Sequence, residues 1–210
     1  DRRKALNRAY KFRIYPNKEQ ETLLSKTFGC CRFLYNVMLS DKKKAYQETG
    51  KMLKNTPAMY KKEYPFLKEV DSLALANVQL HLEQAYRNFF RNPSSGFPKF
   101  KSKHKSQNSY TTNVVNGNIV LEEGTLKLPK LGRVRIKQHR EIPEGYRLKS
   151  VTVSREPSGK YYASLLYEYN CGENQAMEGT YEGGRILGID YAMHGMAVFS
   201  DEMDAVYPGY

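Results

Sequence analysis

The strongest constraint on the fold is a series of short alternating segments between residues 109 and 169. Apolar and polar residues alternate in runs at 109–115, 118–121, 125–128, 133–138, 147–155 and 160–169. Turn-forming pairs and triplets separate these runs, at Asn116-Gly117, Glu123-Gly124, Leu131-Gly132, Pro143-Glu-Gly145 and Pro157-Ser-Gly159. A period of two is typical of strands with one buried face. The region therefore predicts a sheet of short strands, and Asn116-Gly117 predicts a hairpin.

A further strand is predicted near the N-terminus, over residues 5–15. Leu6, Tyr10, Phe12 and Ile14 lie on one side of it, and Arg8, Lys11 and Arg13 lie mostly on the other. This pattern indicates a half-buried strand with a basic outer face. Together with the later strands it predicts a small barrel or curled sheet, with a helical part inserted in its first connection.

Two helices are predicted in that connection. Asn17 and Gln20 have capping-box spacing, and the apolar residues from Leu24 to Met38 recur at helical intervals. Asp71 is the N-cap of a second helix with an apolar stripe from Leu75 to Phe89. Residues 50–65 predict loops and short helical pieces. Asn77 and Arg87 lie off the stripe and are candidates for contact with DNA.

A row of lysines follows the second helix. Lys99, Lys101, Lys103 and Lys105 are spaced by two, so an extended backbone places their charges on one side. Such a row suits a phosphate backbone, with Phe97 and Phe100 adding aromatic surface. The alternative is a solvated basic linker.

The net charge of the whole chain indicates which class of partner it binds. Its 210 residues carry a net charge of +12, which suits a polyanion, most commonly nucleic acid. A basic protein that binds no nucleic acid is the alternative. No long apolar span, signal-like N-terminus or lipidation motif is present, so we expect no membrane partner. Cys30, Cys31 and Cys171 form no CxxC pair, which favours a reducing cytoplasm over a secreted disulfide scaffold.

The segment from Arg185 to Ser200 predicts a strand, a tight connection and a second strand. Asp190 ends the first apolar run. A carboxylate at the end of a buried strand can hold a hard cation such as Mg²⁺. The other interpretation is that Asp190 only begins a turn.

The order of these features resembles the TnpB/OrfB family of the IS200/IS605 transposons, a set of RNA-guided DNA endonucleases related to the compact Cas12 nucleases. The stretches that carry the likeness are Tyr10-Lys-Phe-Arg-Ile-Tyr-Pro-Asn17, Arg32-Phe-Leu-Tyr-Asn36, Leu67-Lys-Glu-Val-Asp71, Ala85-Tyr-Arg-Asn-Phe-Phe90, Gly96-Phe-Pro-Lys-Phe-Lys101, Leu126-Lys-Leu-Pro-Lys-Leu-Gly132 and Leu187-Gly-Ile-Asp190. The likeness covers nearly the whole chain.

The resemblance implies an α+β architecture in several parts. A wedge domain, an OB-like β-barrel, is expected from residues 1–16 and 106–175, with a helical recognition domain at 17–105 inserted in it. A linker at 176–184 and the first strands of an RNase H-like (RuvC) nuclease domain at 185–210 follow. The implied partners are a guide RNA from the transposon end and double-stranded target DNA in a prokaryotic cytoplasm, at the nucleoid when bound.

The resemblance also implies site residues. Ser72, Leu73 and Asn77 at the second helix start, and Asn116 in the predicted hairpin, would face the short DNA motif beside the target. An asparagine amide can bond the edge of adenine, although Asn116 is equally a turn former. Asp190 matches the first catalytic Asp, a ligand for Mg²⁺. Arg87 and the four lysines would contact the nucleic-acid backbone.

Two features of the family are not found in these residues. The further Glu and Asp of a RuvC site and the CxxC pairs of the zinc ribbon do not appear by Tyr210. One carboxylate cannot assemble a two-metal site, so we expect the 210 residues alone not to cleave DNA. The alternatives are a nuclease-deficient RNA-guided DNA-binding protein and an unguided basic nucleic-acid-binding protein. The sequence does not decide between monomer and dimer.

Overall fold

A seven-stranded antiparallel sheet and three α-helices make up the chain between residues 5 and 170. The computed structural model describes residues 5–104 and 107–170, and the backbone of residues 189–190 and 198–199. The first unit, which ends at Asn170, contains β1 (Ala5–Tyr15), α1 (Lys18–Thr49), α2 (Pro57–Glu63), α3 (Ser72–Arg91), β2 (Asn108–Asn113), β3 (Val120–Glu122), β4 (Thr125–Leu128), β5 (Gly132–Lys137), β6 (Arg147–Arg155) and β7 (Tyr161–Asn170).

The second unit, residues 171–210, is described only at two short strands. Strands β8 (Ile189–Asp190) and β9 (Val198–Phe199) pair antiparallel, with Ile189 opposite Phe199 and Asp190 opposite Val198. Both strands lie within the segment from Arg185 to Ser200 for which two strands were predicted. The linker at 176–184 and the rest of the segment to Tyr210 lie outside the described residues.

The strand order shows that the large sheet is curled. The order is β2-β6-β7-β1-β5-β4-β3, so β2 and β3 occupy opposite ends of the row. A flat sheet would separate its end strands by about 29 Å, at ~4.8 Å per strand. The chain from Asn113 to Val120 reaches at most about 25 Å. The two ends therefore approach each other, as the predicted barrel or curled sheet requires.

The predicted hairpin at Asn116-Gly117 is wrong, although the turn itself is present. Asn116 and Gly117 have φ of 49° and 70°, and the Asn118 N–H donates to the Val115 carbonyl at 3.1 Å. These are the features of a turn with two left-handed residues. However, β2 pairs with β6 and β3 pairs with β4. Local residues specify the turn, but partner strands far along the chain decide which edges pair.

The helices begin where their capping residues predict. The Asn17 side chain accepts from the Gln20 N–H at 2.8 Å, and the Gln20 side chain accepts from the Asn17 N–H at 3.0 Å. Helix α1 then continues to Thr49, and Gly50 ends it in the left-handed conformation with φ of 67°. Residues 50–71 contain α2 and a short 3₁₀ turn at Pro65–Lys68, as expected of this polar region.

The core lies between the helices and the inner face of the sheet. Leu34 and Met38 of α1, Leu75 of α3, and Phe12 and Leu165 of the sheet are all fully buried. The ring of Phe28 lies 5.9 Å from that of Tyr110, which joins α1 to β2. Successive side chains of β1 point to opposite faces of the sheet, so the residues between the buried ones lie on the outer face.

Candidate nucleic-acid interface

A buried carboxylate fixes the start of α3 against the sheet. Asp71 is 6% exposed. Its Oδ1 accepts from the Leu73 N–H at 2.9 Å, which caps the helix, and its Oδ2 accepts from Thr112 Oγ1 at 2.5 Å. Thr112 lies on β2 and is completely buried. The first turn of α3 is thereby tied to the strand that leads into the turn at Asn116.

The motif-recognition candidates at this helix start differ in exposure. Ser72 is exposed, and its Oγ accepts from Lys61 Nζ at 2.9 Å. Leu73 is half-buried. Asn116 is exposed and lies four residues after Thr112, so it is within about 14 Å of Thr112, the residue bonded to the N-cap of α3. The bond between Asp71 and Thr112 thus ties the strand that precedes Asn116 to the helix start that carries Ser72 and Leu73.

Asn77 differs from its sequence-based description. It is 6% exposed, and its Nδ2 donates to the Leu73 carbonyl at 3.0 Å. The expectation that it lies off the apolar stripe is wrong. Asn77 follows Ala74 by three residues and precedes Val78, and both of these are buried on the same helix face. Contact with a base would require this side chain to leave its present bond.

The lysine row is not straight. Lys99 is exposed, and the Asn36 side chain holds the backbone of Lys101 by two hydrogen bonds of 2.8 and 2.9 Å. Lys101 Nζ lies 4.4 Å from the centre of the Tyr35 ring, and desolvation lowers the pKa of Lys101. A turn at 103–104 ends the extended course before Lys105, which lies outside the described residues. Lys101 therefore packs against Tyr35 and does not form with Lys99 the free row that the alternating spacing predicted.

Arg87 is exposed on α3, as expected of an off-stripe residue. Lys103 is also exposed and borders a cleft beside β6. Both side chains are accessible to a nucleic-acid backbone.

The basic outer face predicted for β1 extends onto β5, where the sequence reasoning named no basic site residue. Arg133, Arg135 and Lys137 alternate with buried Val134 and Ile136 on β5. Register places Arg13 opposite Lys137 and Tyr15 opposite Arg135. The signal was present in the sequence, because residues 133–137 alternate basic and apolar residues as clearly as β1 does.

Two guanidinium groups lie over the Tyr15 ring on this outer face. The centre of its ring is 4.9 Å from the Arg13 Cζ and 4.6 Å from the Arg135 Cζ. The buried Arg13 Nε has no hydrogen-bond partner within the described residues. A cation stacked on an aromatic ring keeps its in-plane N–H groups free for other partners, so the exposed Arg135 suits phosphate or base contacts.

The described residues contain no group of three His, Cys, Asp or Glu side chains that could hold a metal ion. Cys30 and Cys31 are free and buried, and burial raises the pKa of Cys31 to about 12. They are packed side chains and not reactive thiols. Asp190 is placed only by the backbone of β8. No helix in the described part of the chain is long and apolar enough to cross a membrane.

Residues 6–51 match the helix-turn-helix domain family HTH_OrfB_IS605. In this chain the matched residues form β1 and α1, which are one strand and one helix. The description of that family therefore does not fit the secondary structure of this segment, although the match itself concerns sequence.

Three curated relatives are similar in sequence. "Putative RNA-guided DNA endonuclease" of Streptomyces pristinaespiralis is 37% identical over 173 residues, which cover 78% of this chain and 42% of that protein. "Putative RNA-guided DNA endonuclease InsQ" of Escherichia coli (strain K12) is 28% identical over 205 residues, which cover 92% and 47%. "Virulence protein VsdF" of Salmonella dublin is 41% identical over 113 residues, which cover 46% and 94%.

The domain family and the two relatives named as RNA-guided DNA endonucleases indicate one family. The chain belongs to the TnpB/OrfB family of the IS200/IS605 transposons. It spans less than half of the length of the two endonuclease relatives.

A solved structure covers most of the chain at low similarity. It is the "Cryo-EM structure of the Cas12f1-sgRNA-target DNA complex", with a TM-score of 0.38 and 12% identity. The match covers 96% of this chain and 57% of the other. Similarity at this level supports no inference about site or mechanism.

Proposed function

We propose that this chain belongs to a transposon-associated RNA-guided DNA endonuclease and supplies its guide-RNA and target-recognition parts. The observation that carries the proposal is the 37% identity over 173 residues to the relative from Streptomyces pristinaespiralis, whose name states that activity. The net charge of +12 and the basic outer face of β1 and β5 support a nucleic-acid ligand.

We assign separate roles to the sheet and to the helices. The curled sheet, with residues 1–16 and 106–175, acts as the wedge domain, and the helices at 17–105 act as the recognition domain. The tie between Asp71 and Thr112 holds the start of α3 beside β2. Ser72, Leu73 and Asn116 are assigned to reading the short DNA motif. Asn77 stabilises the start of α3 through its hydrogen bond to the Leu73 carbonyl. Arg87, Lys99 and Lys103 contact backbone phosphates.

Cleavage is proposed for the longer protein, through a RuvC domain that begins near residue 185. When bound, Mg²⁺ generates a nucleophilic water and stabilises the leaving oxygen. A two-metal site needs several oxygen ligands, and Asp190 supplies one carboxylate at the end of β8. The described residues do not form that site by themselves. Asp190 is therefore assigned the single role of a metal ligand, and the 210 residues are expected to bind without cutting.

The test is to purify the protein from its native host with the transposon end present and to sequence the RNA that accompanies it. A discrete structured RNA with a variable end is the expected result. Heterogeneous RNA, or no RNA, would contradict guided binding and leave an unguided basic protein. The Asp190→Asn variant of the longer protein should retain the RNA and lose cleavage. If the unsubstituted longer protein binds the DNA that its guide RNA matches but does not cut it, the nuclease-deficient alternative holds.

A further inference from the structure

An open aromatic groove lies between the C-terminal half of α1, the C-terminal half of α3 and the segment that follows α3. Its volume is about 390 Å³, and its lining includes Lys43, Tyr46, Met52, Phe89, Phe90 and Phe97. Clefts that take small ligands measure ~300–1,000 Å³. The groove is therefore large enough for a planar group the size of a nucleobase.

The groove concentrates apolar surface that the fold leaves in water. Ten large apolar side chains of the described residues are exposed, and five of them line or border the groove. The most exposed are Phe90 at 62%, Tyr46 at 56% and Phe100 at 54%. Apolar side chains left in water do not contribute the stabilisation that burial would give. A contiguous exposed apolar patch of this kind therefore marks a binding surface.

The rings in the groove are held in place by other rings. Phe90 stacks on the buried Tyr86 at 6.2 Å with an interplanar angle of 24°. Phe97 meets Tyr86 edge-on at 5.4 Å and Phe89 edge-on at 5.3 Å. Phe90 is thus a platform with a fixed ring behind it and an open face in front. Little side-chain entropy is lost when a flat group stacks on a ring that is already fixed.

The charge around the groove favours an anionic ligand. Lys43 Nζ lies 5.0 Å from the centre of the Phe97 ring and 4.7 Å from that of Phe100. Lys42 turns inward and donates to the Leu53 carbonyl at 2.5 Å, so Lys43 is the lining lysine that faces outward. Among the described residues no carboxylate lines the groove, and Glu83 of α3, which interacts electrostatically with Lys42, is bonded to Gln79. A second copy would bring two positive grooves together, which like-charge repulsion opposes.

We propose that this groove binds an unpaired nucleotide, with the base stacked on Phe90 and Phe97 and the phosphate beside Lys43. Stacking requires an open base face, which single strands offer and the interior of a duplex does not. The inference rests on the proposed function for its ligand class. It adds a site for single-stranded nucleic acid that is separate from the motif-recognition region at the start of α3.

The test uses the full 210-residue chain and a 12-residue single-stranded oligonucleotide that contains one 2-aminopurine. Stacking should quench the fluorescence of 2-aminopurine, and the same sequence as a blunt duplex should give a much smaller change. The Phe90→Ala variant should bind the single strand roughly 5- to 100-fold more weakly, the range expected for the loss of one stacking ring. Phe90→Trp should retain binding and quenching, because the larger ring also stacks.

Phe66→Ala is the matched control, since Phe66 is 42% exposed and lies outside the groove. It should bind as the unsubstituted chain does. A thermal melt of each variant separates lost stacking from lost folding. Equal affinity of Phe90→Ala and Phe66→Ala would overturn the inference. Cross-linking of a second copy or a protein through the groove, with no quenching, would also overturn it. Neither result affects guided binding, which the accompanying RNA tests separately.

Discussion

The carboxylate of Asp71 and the hydroxyl of Thr112 meet at 2.5 Å inside the protein, and through this bond the N-cap of α3 is fixed to β2. One oxygen of Asp71 caps the helix and the other accepts from the strand. Two functions of one buried side chain therefore depend on each other. The proposed motif-reading residues lie on both sides of this contact.

Asp71→Ala should lower the free energy of unfolding by about 2–4 kcal/mol. The loss of an N-cap costs ~0.5–2 kcal/mol and the loss of a hydrogen bond to a charged group ~1.5–3 kcal/mol, which are not fully additive. Thr112→Val should cost less, because the cap survives. Urea denaturation measures both. Thr111→Val, which removes a half-buried bond to Thr152 instead, is the control and should cost less than about 1.5 kcal/mol.

Much of the fold was accessible from sequence because its signals are local. The capping pairs at Asn17 and Asp71 act within one helical turn, and the alternation in β4 and β6 gave those strands their observed bounds. Pairing was less accessible, because Thr112 lies opposite Val151, on a strand that is distant in sequence. For the same reason the Asn116 turn was predicted and its hairpin partner was wrong.

The candidate site was less accessible. The exposure of Ser72 and Arg87 follows from helical periodicity, but the burial of Asn77 depends on what the helix packs against. Lys101 was predicted to lie in a row of free charges. Its backbone is held by Asn36, and the desolvation that lowers its pKa arises from residues distant in sequence.

Asn116 allows turn formation and base contact to be separated. Its φ of 49° is unfavourable for most side chains but not for glycine. Asn116→Gly should therefore preserve the melting temperature while changing the preferred DNA motif. Asn116→Ala should cost about 1–2 kcal/mol of stability. Selection from a randomised DNA library measures the motif, and an unchanged motif with Asn116→Gly would exclude base contact by this side chain.

The outer face of β1 and β5 should contribute phosphate contacts. Arg135→Gln should weaken RNA binding and reduce the slope of log affinity against log salt by about 1. Lys26→Gln removes the same charge from an exposed residue of α1 that is paired with Glu69 at 2.7 Å, so it is the control. Filter binding measures the salt dependence of both variants. Equal slopes of log affinity against log salt would mean that the RNA does not contact the outer face of β1 and β5.

Buried tyrosines should make the fold sensitive to alkali. Burial raises the pKa of Tyr167 to about 12, whereas an unfolded tyrosine titrates near 10. Below pH ~10 both states are protonated and the stabilisation is complete. Between about 10 and 12 only the unfolded state loses its proton, so stability falls as pH rises.

Tyr167→Phe isolates this contribution. Desolvation lowers the pKa of Lys42 and Lys101, and these two groups make the folded state more stable as pH rises. The contribution of Tyr167 is therefore measured as the difference in stability between the variant and the unsubstituted chain. The variant should lose less stability than the unsubstituted chain between pH 9 and about 11. Tyr46→Phe, at a 56% exposed position, is the control. Circular dichroism during urea titration measures the difference, and parallel curves for all three proteins would contradict it.

The segment after α3 should be held in place by one side chain. Asn36 donates to the Lys101 carbonyl at 2.9 Å and accepts from the Lys101 N–H at 2.8 Å. Asn36→Ala should remove both bonds, at ~0.5–1.5 kcal/mol each. Trypsin should then cut at Lys99, Lys101 or Lys103 roughly 5- to 100-fold faster, because local opening limits cleavage. The Asn88→Ala variant, which loses a surface bond to Gln84 on α3, is the control and should be cut at the unsubstituted rate. Equal rates for both variants would mean that the segment behaves as the solvated linker that its composition also allows.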